Sequence, residues 1–412
     1  MNENRLQSLV RETALVGGVP PQDVEIVRSP YRVCPLGAHV DHQLGNVTGM
    51  ALERALLFAF VPRADSLVRV QSRNFPAEIA FRLEHCPDHP PGDWGDYLRG
   101  AVAALRRGYG VGRGLFGIVD GYSKVGGLSS SAAVGVAYLL ALERSNDLDL
   151  GPLENIELDR LIENEYIGLN NGILDQSTIL LSRRDRLLHL DCRTASSQLH
   201  ECGSQAQLWI AILYSGLSEQ LCDTDYNRRV AECEEAARLL LQRGKAAPID
   251  SPKLRDVPPE LFDKSGSALP DALRRRAEHF FSEQRRVAEG VQLWETGDLE
   301  GFGRLISESG RSSVENYECG NEYLRSAFHV LRDTPGVLGA RFSGAGFRGC
   351  SIGLMKGPPD EDLGRDMLRR YLEVHPDMQG KADVVFCRTG DGARVFRQQQ
   401  GCGEPPHEAK SR

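Results

Sequence analysis

Residues 126–133 read GGLSSSAA and stand at the start of the apolar run Ala132–Leu142. Two glycines let a backbone approach an oxyanion closely, unpaired N–H groups at a helix start point at it, and the helix dipole favours its negative charge. The three serines add donors and a candidate Mg²⁺ ligand. The chemistry suggested is phosphate binding by Gly126, Gly127, Leu128, Ser129, Ser130 and Ser131. The same pattern also describes an ordinary Ser-capped helix after a flexible loop. It is not a Walker A motif, because no Gly-Lys-Ser/Thr comes after it. A second cluster, Gly344 to Gly349 (GAGFRG), satisfies G-x-G-x-x-G. The next residues, Cys350–Leu354, read as a strand rather than the helix that a dinucleotide fingerprint opens, so the cluster is a glycine hairpin able to lie beside a ligand. His85-Cys86-Pro87-Asp88-His89 gathers four ligand-type side chains, but in a Pro-rich loop without zinc spacing, and it reads as a solvated turn.

The elements that must position these loops mix strands and helices without βαβ regularity. Arg54–Ser72 reads as two β-rich segments around a polar turn, and Glu78–Leu83 alternates as a third strand. A helix over Trp94–Arg107 and a strand over Leu115–Val119 lead into the Gly/Ser loop and its helix. Further helices are expected over Glu154–Gly168, Tyr226–Leu241, 270–296, 298–309 and 320–332. Strands are expected at Leu187–Leu190, Leu208–Leu213, Val337–Phe342, Cys350–Leu354 and Val384–Cys387. The stretch from Ala246 to Pro270, rich in Pro, Asp and Ser, reads as a long surface loop or domain seam. The fold class is α+β. The closing QQQGCGEPPHEAKSR has almost no apolar content and is expected to be disordered.

Composition narrows the partners. The chain has 412 residues, 41% hydrophobic, enough for one large domain or two joined ones. A net charge of −8 gives no reason to expect nucleic acid or an anionic membrane as partner. Ten cysteines without paired spacing suit a reducing compartment. No window reaches a membrane span, and the N-terminus lacks the apolar region of a signal peptide. The expectation is a cytoplasmic protein acting on small molecules.

Three segments, Arg32–His42 (RVCPLGAHVDH), Gly126–Ala133 and Phe342–Cys350 (FSGAGFRGC), together and in this order resemble the three signatures of the GHMP kinases. The galactokinase branch is the nearest in pattern. Gly172-Ile173-Leu174-Asp175-Gln176 resembles its Gly-Ile-Met-Asp-Gln segment, and Tyr226 to Glu235 resembles its Tyr…Arg-Arg…Cys-Glu-Glu stretch. The resemblance spans roughly residues 28 to 390. Two departures stand out. The first signature usually carries Glu and Tyr where this chain has Ala38 and His42, and the Pro and first Gly usual before the second are Ser123 and Val125.

The resemblance implies a GHMP fold: two intimately joined α/β subdomains, residues 1–205 binding ATP and 206–392 completing the cleft between them, with 393–412 as a tail. It implies an ATP-dependent phosphotransferase acting on the anomeric hydroxyl of a sugar. By match, Asp175 takes the hydroxyl proton and Arg32 stabilises the moving phosphoryl. Ser131 and Glu163 hold Mg²⁺, and His39, Asp41, Gly172 and Tyr226 contact the sugar. Gly344 and Gly346 join the 126–131 loop around ATP.

In galactokinases the Glu replaced by Ala38 is understood to bind the sugar's C6 hydroxyl. Its loss implies a sugar with a C6 carboxylate, D-galacturonic acid, and the stretches CPLGAHVDHQ and GGLSSSAAVGVAYLLALE resemble the galacturonokinases of that branch. A sugar lacking C6, such as arabinose, and a non-catalytic sugar sensor are the alternatives. For the carboxylate the chain offers His42, Lys124 and Arg348, with His42 placed near C6 as a hypothesis.

Overall fold

The computed structural model describes residues 3–122, 126–217, 225–346, 349–360 and 362–397. Among these, the strands in chain order are β1 (Glu25–Val33), β2 (Asn46–Pro62), β3 (Leu67–Ser72), β4 (Ile79–Arg82), β5 (Leu115–Asp120), β6 (Arg186–Asp191), β7 (Ser196–Glu201), β8 (Leu208–Tyr214), β9 (Val337–Phe342), β10 (Cys350–Lys356), β11 (Asp383–Cys387) and β12 (Arg394–Arg397). The α-helices are α1 (Glu3–Gly17), α2 (Asp96–Arg106), α3 (Ser130–Ser145), α4 (Pro152–Leu161), α5 (Leu174–Leu181), α6 (Tyr226–Arg243), α7 (Pro259–Ser265), α8 (Asp271–Thr296), α9 (Leu299–Glu315), α10 (Glu322–Arg332) and α11 (Leu363–Val374).

The strands form two sheets. The first has the order β12-β1-β2-β5-β3-β4, with β6 on β2 and β7 on β6. The second has the order β11-β8-β10-β9. Only β3 and β5 pair in parallel; the other described pairs are antiparallel. The chain thus leaves one sheet after β7 and enters the other at β8. Helix α3 packs its Ala- and Leu-rich faces on β1 and β2, with Ala133, Val136, Ala137 and Leu139 wholly buried. That places its N-terminus, and the loop before it, at the edge where the two sheets approach.

Several elements differ from the sequence-based reading. Strand β1 was not expected, because EIVRSPYRV carries Glu25, Arg28, Arg32 and Pro30, yet all nine residues are buried. Tertiary partners make this possible. Arg28 donates to the carbonyls of Leu52, Glu53 and Asp391, and Glu25 pairs with Arg144 and Arg397. Helices α1, α5 and α11 also lie where none was assigned. The 246–270 stretch is not all loop: Pro258 and Pro259 start α7, Pro being suited to a first helical turn, and Phe262 is buried. The expected tail begins too early at 393, because Arg394–Arg397 pairs with Glu25–Arg28 as β12. The short segment Arg-Val-Phe-Arg gains a ladder there because the edge of β1 offers unpaired backbone groups, and Val395 and Phe396 pack against the core.

Candidate active site

A cleft of about 510 Å³ opens between the two sheets. Its floor is the meeting of the two glycine clusters. A Cβ on Gly349 would fall 2.3 Å from the Gly126 carbonyl carbon, and one on Gly344 would fall 3.0 Å from Gly127 Cα. The backbones are therefore in direct contact, which only glycine allows. Ser129 stands at the N-cap of α3 in the left-handed region, φ 55°, and its side chain makes no capping hydrogen bond. Its Oγ donates instead to Asp175 Oδ2. The alternative of a plain Ser-capped helix is thereby excluded. The first turn of α3 keeps its N–H groups free of the Ser129 side chain, with Ser129, Ser130 and Ser131 on the cleft wall. Such an arrangement suits an anion.

Asp175, at the start of α5, sits where the phosphate loop meets the other wall. Its Oδ1 accepts from Arg32 Nε at 2.7 Å, and Arg32 Nη1 reaches Gly127 O at 3.4 Å. Arg32 is held in place by β1, its own N–H donating to Leu128 O. Beside the pair, Ala38, His39, Asp41 and Tyr226 line the opposite wall. His39 has φ 60° and stacks flat on Tyr317, ring centroids 4.5 Å apart. Burial, with His279 and Arg341 close by, pushes its pKa well down, so the ring is neutral. Burial and then the Asp175 charge push Asp41 up to about 6.

Below the loop, α4 continues into a π-helical turn over Ile162–Ile167, which ends at Gly168 with φ 86°. The turn presents Glu163 to the cleft next to Ser131. Glu163 is buried, Oε2 accepts from Asn171 Nδ2, and Oε1 has no hydrogen-bond partner among the described residues. Burial and the Asp175 charge raise its pKa to about 7. A hydroxyl and a carboxylate with an orphaned buried oxygen are hard oxygen donors, and they fit Mg²⁺, which takes few protein ligands beside phosphate oxygens and water. His85 to His89 gathers no metal set, and no group of three or more ligating side chains occurs among the described residues.

Four expected residues lie off the cleft wall. Leu128 is wholly buried and serves through its carbonyl. Gly172 packs on Asp41, where a Cβ would come 2.5 Å from the Asp41 carbonyl carbon. Gly346 packs against Cys319, behind His39. His42 is the substantive correction. Its ring is buried, Nδ1 faces Gln43 Nε2 at 3.0 Å and Nε2 faces Tyr317 Oη at 3.1 Å. Because Nδ1 accepts from an amide N–H, Nε2 carries the proton and donates to the tyrosine oxygen. Burial, helped by Lys253 and His279, takes its pKa down to about 3. A neutral ring with both nitrogens engaged is no partner for a carboxylate. Lys124, Arg348, Ser123 and Val125 lie outside the described residues.

The cleft also uses residues the motifs did not single out, among them Cys34, Phe75, Asn171, Tyr214 and Lys381. Asn171, next to the Gly-Ile-Leu-Asp-Gln segment, was the most accessible of these from sequence.

Similarity to known proteins agrees with the geometry. Residues 96–183 match the GHMP kinases N terminal domain and residues 288–374 the GHMP kinases C terminal domain. A galacturonokinase from Arabidopsis thaliana is 42% identical over 96% of this chain and 99% of its own length. The chain is a GHMP kinase of the galactokinase branch. This GHMP kinase is also 32% identical to a galactokinase from Roseiflexus sp. (strain RS-1), over 89% of this chain and 92% of the relative. The structure of Lactococcus lactis galactokinase complexed with galactose superposes with a TM-score of 0.85 at 28% identity, covering 94% of this chain and 99% of that one. The two-sheet cleft of this GHMP kinase is thus a sugar kinase cleft, with ATP as co-substrate. Among the described residues no helix is long and apolar enough to cross a membrane, and all the described cysteines are free thiols.

The raised pKa of Asp41 has two measurable consequences for this kinase. If Asp41 accepts sugar hydroxyls through its carboxylate form, kcat/KM for the sugar should fall as pH drops below about 6. On stability the sign is opposite. The advantage of the neutral buried group is complete below the unfolded pKa of about 4 and is lost as pH rises through about 6. Asp41→Asn should therefore be more stable than the wild type at pH 8, by on the order of 3 kcal/mol, with the gain vanishing near pH 4. Denaturation midpoints at the two pH values check this; an equal shift at both would show that Asp41 is not held at a raised pKa.

Proposed function

We propose that the protein phosphorylates the anomeric hydroxyl of D-galacturonic acid from Mg·ATP, giving galacturonate 1-phosphate. The observation carrying the substrate is Ala38 on the cleft wall, where the galactokinase signature has Glu. A neutral galactose loses there a charge-assisted hydrogen bond of about 1.5–3 kcal/mol. A C6 carboxylate escapes a like-charge contact of roughly 1–4 kcal/mol at ~4 Å. Both changes favour the acid, and at about 1.4 kcal/mol per tenfold they amount to a hundredfold or more. The name of the Arabidopsis relative supports the same reading.

In this mechanism Asp175 accepts the C1 hydroxyl proton as the oxygen attacks the γ-phosphorus in line, and Arg32 offsets charge on the moving phosphoryl. The Arg32–Asp175–Ser129 contacts support these roles, because they put the carboxylate at the junction of the sugar wall and the phosphate loop. The 126–131 loop and Gly344 cradle the phosphates; His39, Asp41 and Tyr226 bind the sugar. Ser131 and Glu163 would hold Mg²⁺, which when bound neutralises the β- and γ-phosphate oxygens. Free thiols support a cytoplasmic location.

ADP release with Mg·ATP and a panel of D-galacturonate, D-galactose, D-glucuronate and L-arabinose tests the reading. Galacturonate should win by about tenfold or more in kcat/KM. A win for galactose or arabinose would overturn the sugar acid while leaving the kinase, and turnover of no sugar would point to a sensor.

A further inference from the structure

The corner of the cleft at Ala38 is backed by a charge with no role in phosphoryl transfer. Arg341 on β9 is wholly buried. Its guanidinium is held by a carbonyl and two hydroxyls: Nε donates to Phe342 O at 2.9 Å, Nη1 to Ser309 Oγ at 2.6 Å and Nη2 to Ser313 Oγ at 3.4 Å. It makes no ion pair among the described residues.

Hydrogen bonds connect Arg341 to the sugar loop. Ser309 Oγ donates to Glu283 Oε2 at 2.9 Å, and the same oxygen accepts the N–H of Gly37, the residue before Ala38, at 2.8 Å. Glu283 already has a cation, Arg286, at 2.7 Å. His279, one turn earlier on α8, donates from Nε2 to Ala38 O at 2.9 Å, and burial pushes its pKa down to about 4, so it is neutral. Two guanidinium groups thus face one carboxylate, and Ala38 brings no further acid. A buried charge without a counter-charge is costly, and in a low-dielectric wall its field reaches farther than that of a solvated ion. Cys34 and His39, both on the cleft wall, lie within its field: burial pushes the Cys34 thiol up to about 12 with the Arg341 charge opposing that rise, and burial, His279 and then Arg341 push His39 down.

We infer that Arg341 is the specificity-determining counter-charge for the sugar's C6 carboxylate, acting across the Ala38–His39 wall without touching the sugar. The inference rests on the sugar-acid reading and supplies the cation that reading needs, His42 being off the wall. The competing source is an exposed cation at the rim, such as Lys381.

The test measures kcat/KM for D-galacturonate and D-galactose in the wild type, Arg341→Gln and Arg341→Lys, with ATP saturating. The galacturonate-to-galactose ratio should fall at least ~10-fold in Arg341→Gln and stay within about threefold in Arg341→Lys, which keeps the charge. Equal losses on both sugars in Arg341→Gln would make the residue purely structural and overturn the inference. Should Arg341→Gln fail to fold, salt decides in the wild type. A buried source is screened little, so KM for galacturonate should rise less than about threefold between ~20 and ~500 mM salt, whereas a larger rise assigns the carboxylate to an exposed cation and overturns the inference. A wild type that prefers galactose sinks the sugar-acid reading itself, which is a separate result.

Discussion

Asp175→Asn should lower kcat by about 10³-fold while leaving the affinity for ATP within about threefold, as read by single-turnover kinetics and nucleotide titration. General base catalysis contributes roughly 10²–10⁴-fold, and Asp175 lines the cleft together with the phosphate loop and with Ala38, His39 and Asp41. Its Oδ1 meets Arg32 and its Oδ2 meets Ser129 at the N-cap of α3. Asparagine keeps the shape and the contact with Ser129 but cannot take a proton from the acceptor hydroxyl. The phosphate loop is built by Gly126–Gly349 backbone packing and by Leu128 on β1, neither of which depends on Asp175, so nucleotide binding should persist. A variant that kept kcat near the wild-type value would remove Asp175 from the chemistry and leave it a structural partner of Arg32. A variant that lost ATP binding as well would show that the carboxylate holds the loop.

The second large effect is expected from Ala38→Glu. The new carboxylate would stand on the wall that meets C6, restoring the charged hydrogen bond to a neutral sugar and repelling an acid. The two contributions, about 1.5–3 and 1–4 kcal/mol, act in the same direction. The kcat/KM preference between D-galacturonate and D-galactose should shift toward galactose by about a hundredfold or more. Ala38→Gln separates the causes, since it fills the same space without charge. If both variants lost galacturonate equally, crowding alone would explain the selectivity and the electrostatic account would fall. The position is well defined for such a comparison, because the peptide on each side of Ala38 is clamped by α8, through Glu283 to Gly37 N and His279 to Ala38 O.

The amino-acid sequence by itself determined the features whose physics is local. A Gly-Ser run before an apolar helix offers free N–H groups and a helix dipole from the backbone alone, although only the Ser129–Asp175 contact removes the alternative of a plain Ser-capped helix. The Gly344–Gly349 hairpin, the family and the Ala38 departure were legible for the same reason: each is contained in a few contiguous residues. Strand β1 was not, since its buried charges are tolerable only with partners such as Asp175, Asp391 and Arg397, which lie between 143 and 372 residues away in paired contacts. Strand β12 was not legible either, because a tetrapeptide with only two apolar residues, Val395 and Phe396, becomes a strand only when another edge is there to pair with it.

Only the tertiary structure decided which side chains face the cleft. His42 is the immediate neighbour of Asp41, which lines the cleft, in a signature full of binding groups. Tyr317 and Gln43 nevertheless take both its nitrogens and turn it into a buried neutral support. Arg341 carried no motif at all, and its surplus charge exists because Ser309, Ser313 and Glu283 come from helices that meet β9 only in the fold. Local sequence can specify a backbone that receives phosphate, but whether a buried charge is compensated depends on every group around it, and those groups are assembled by packing.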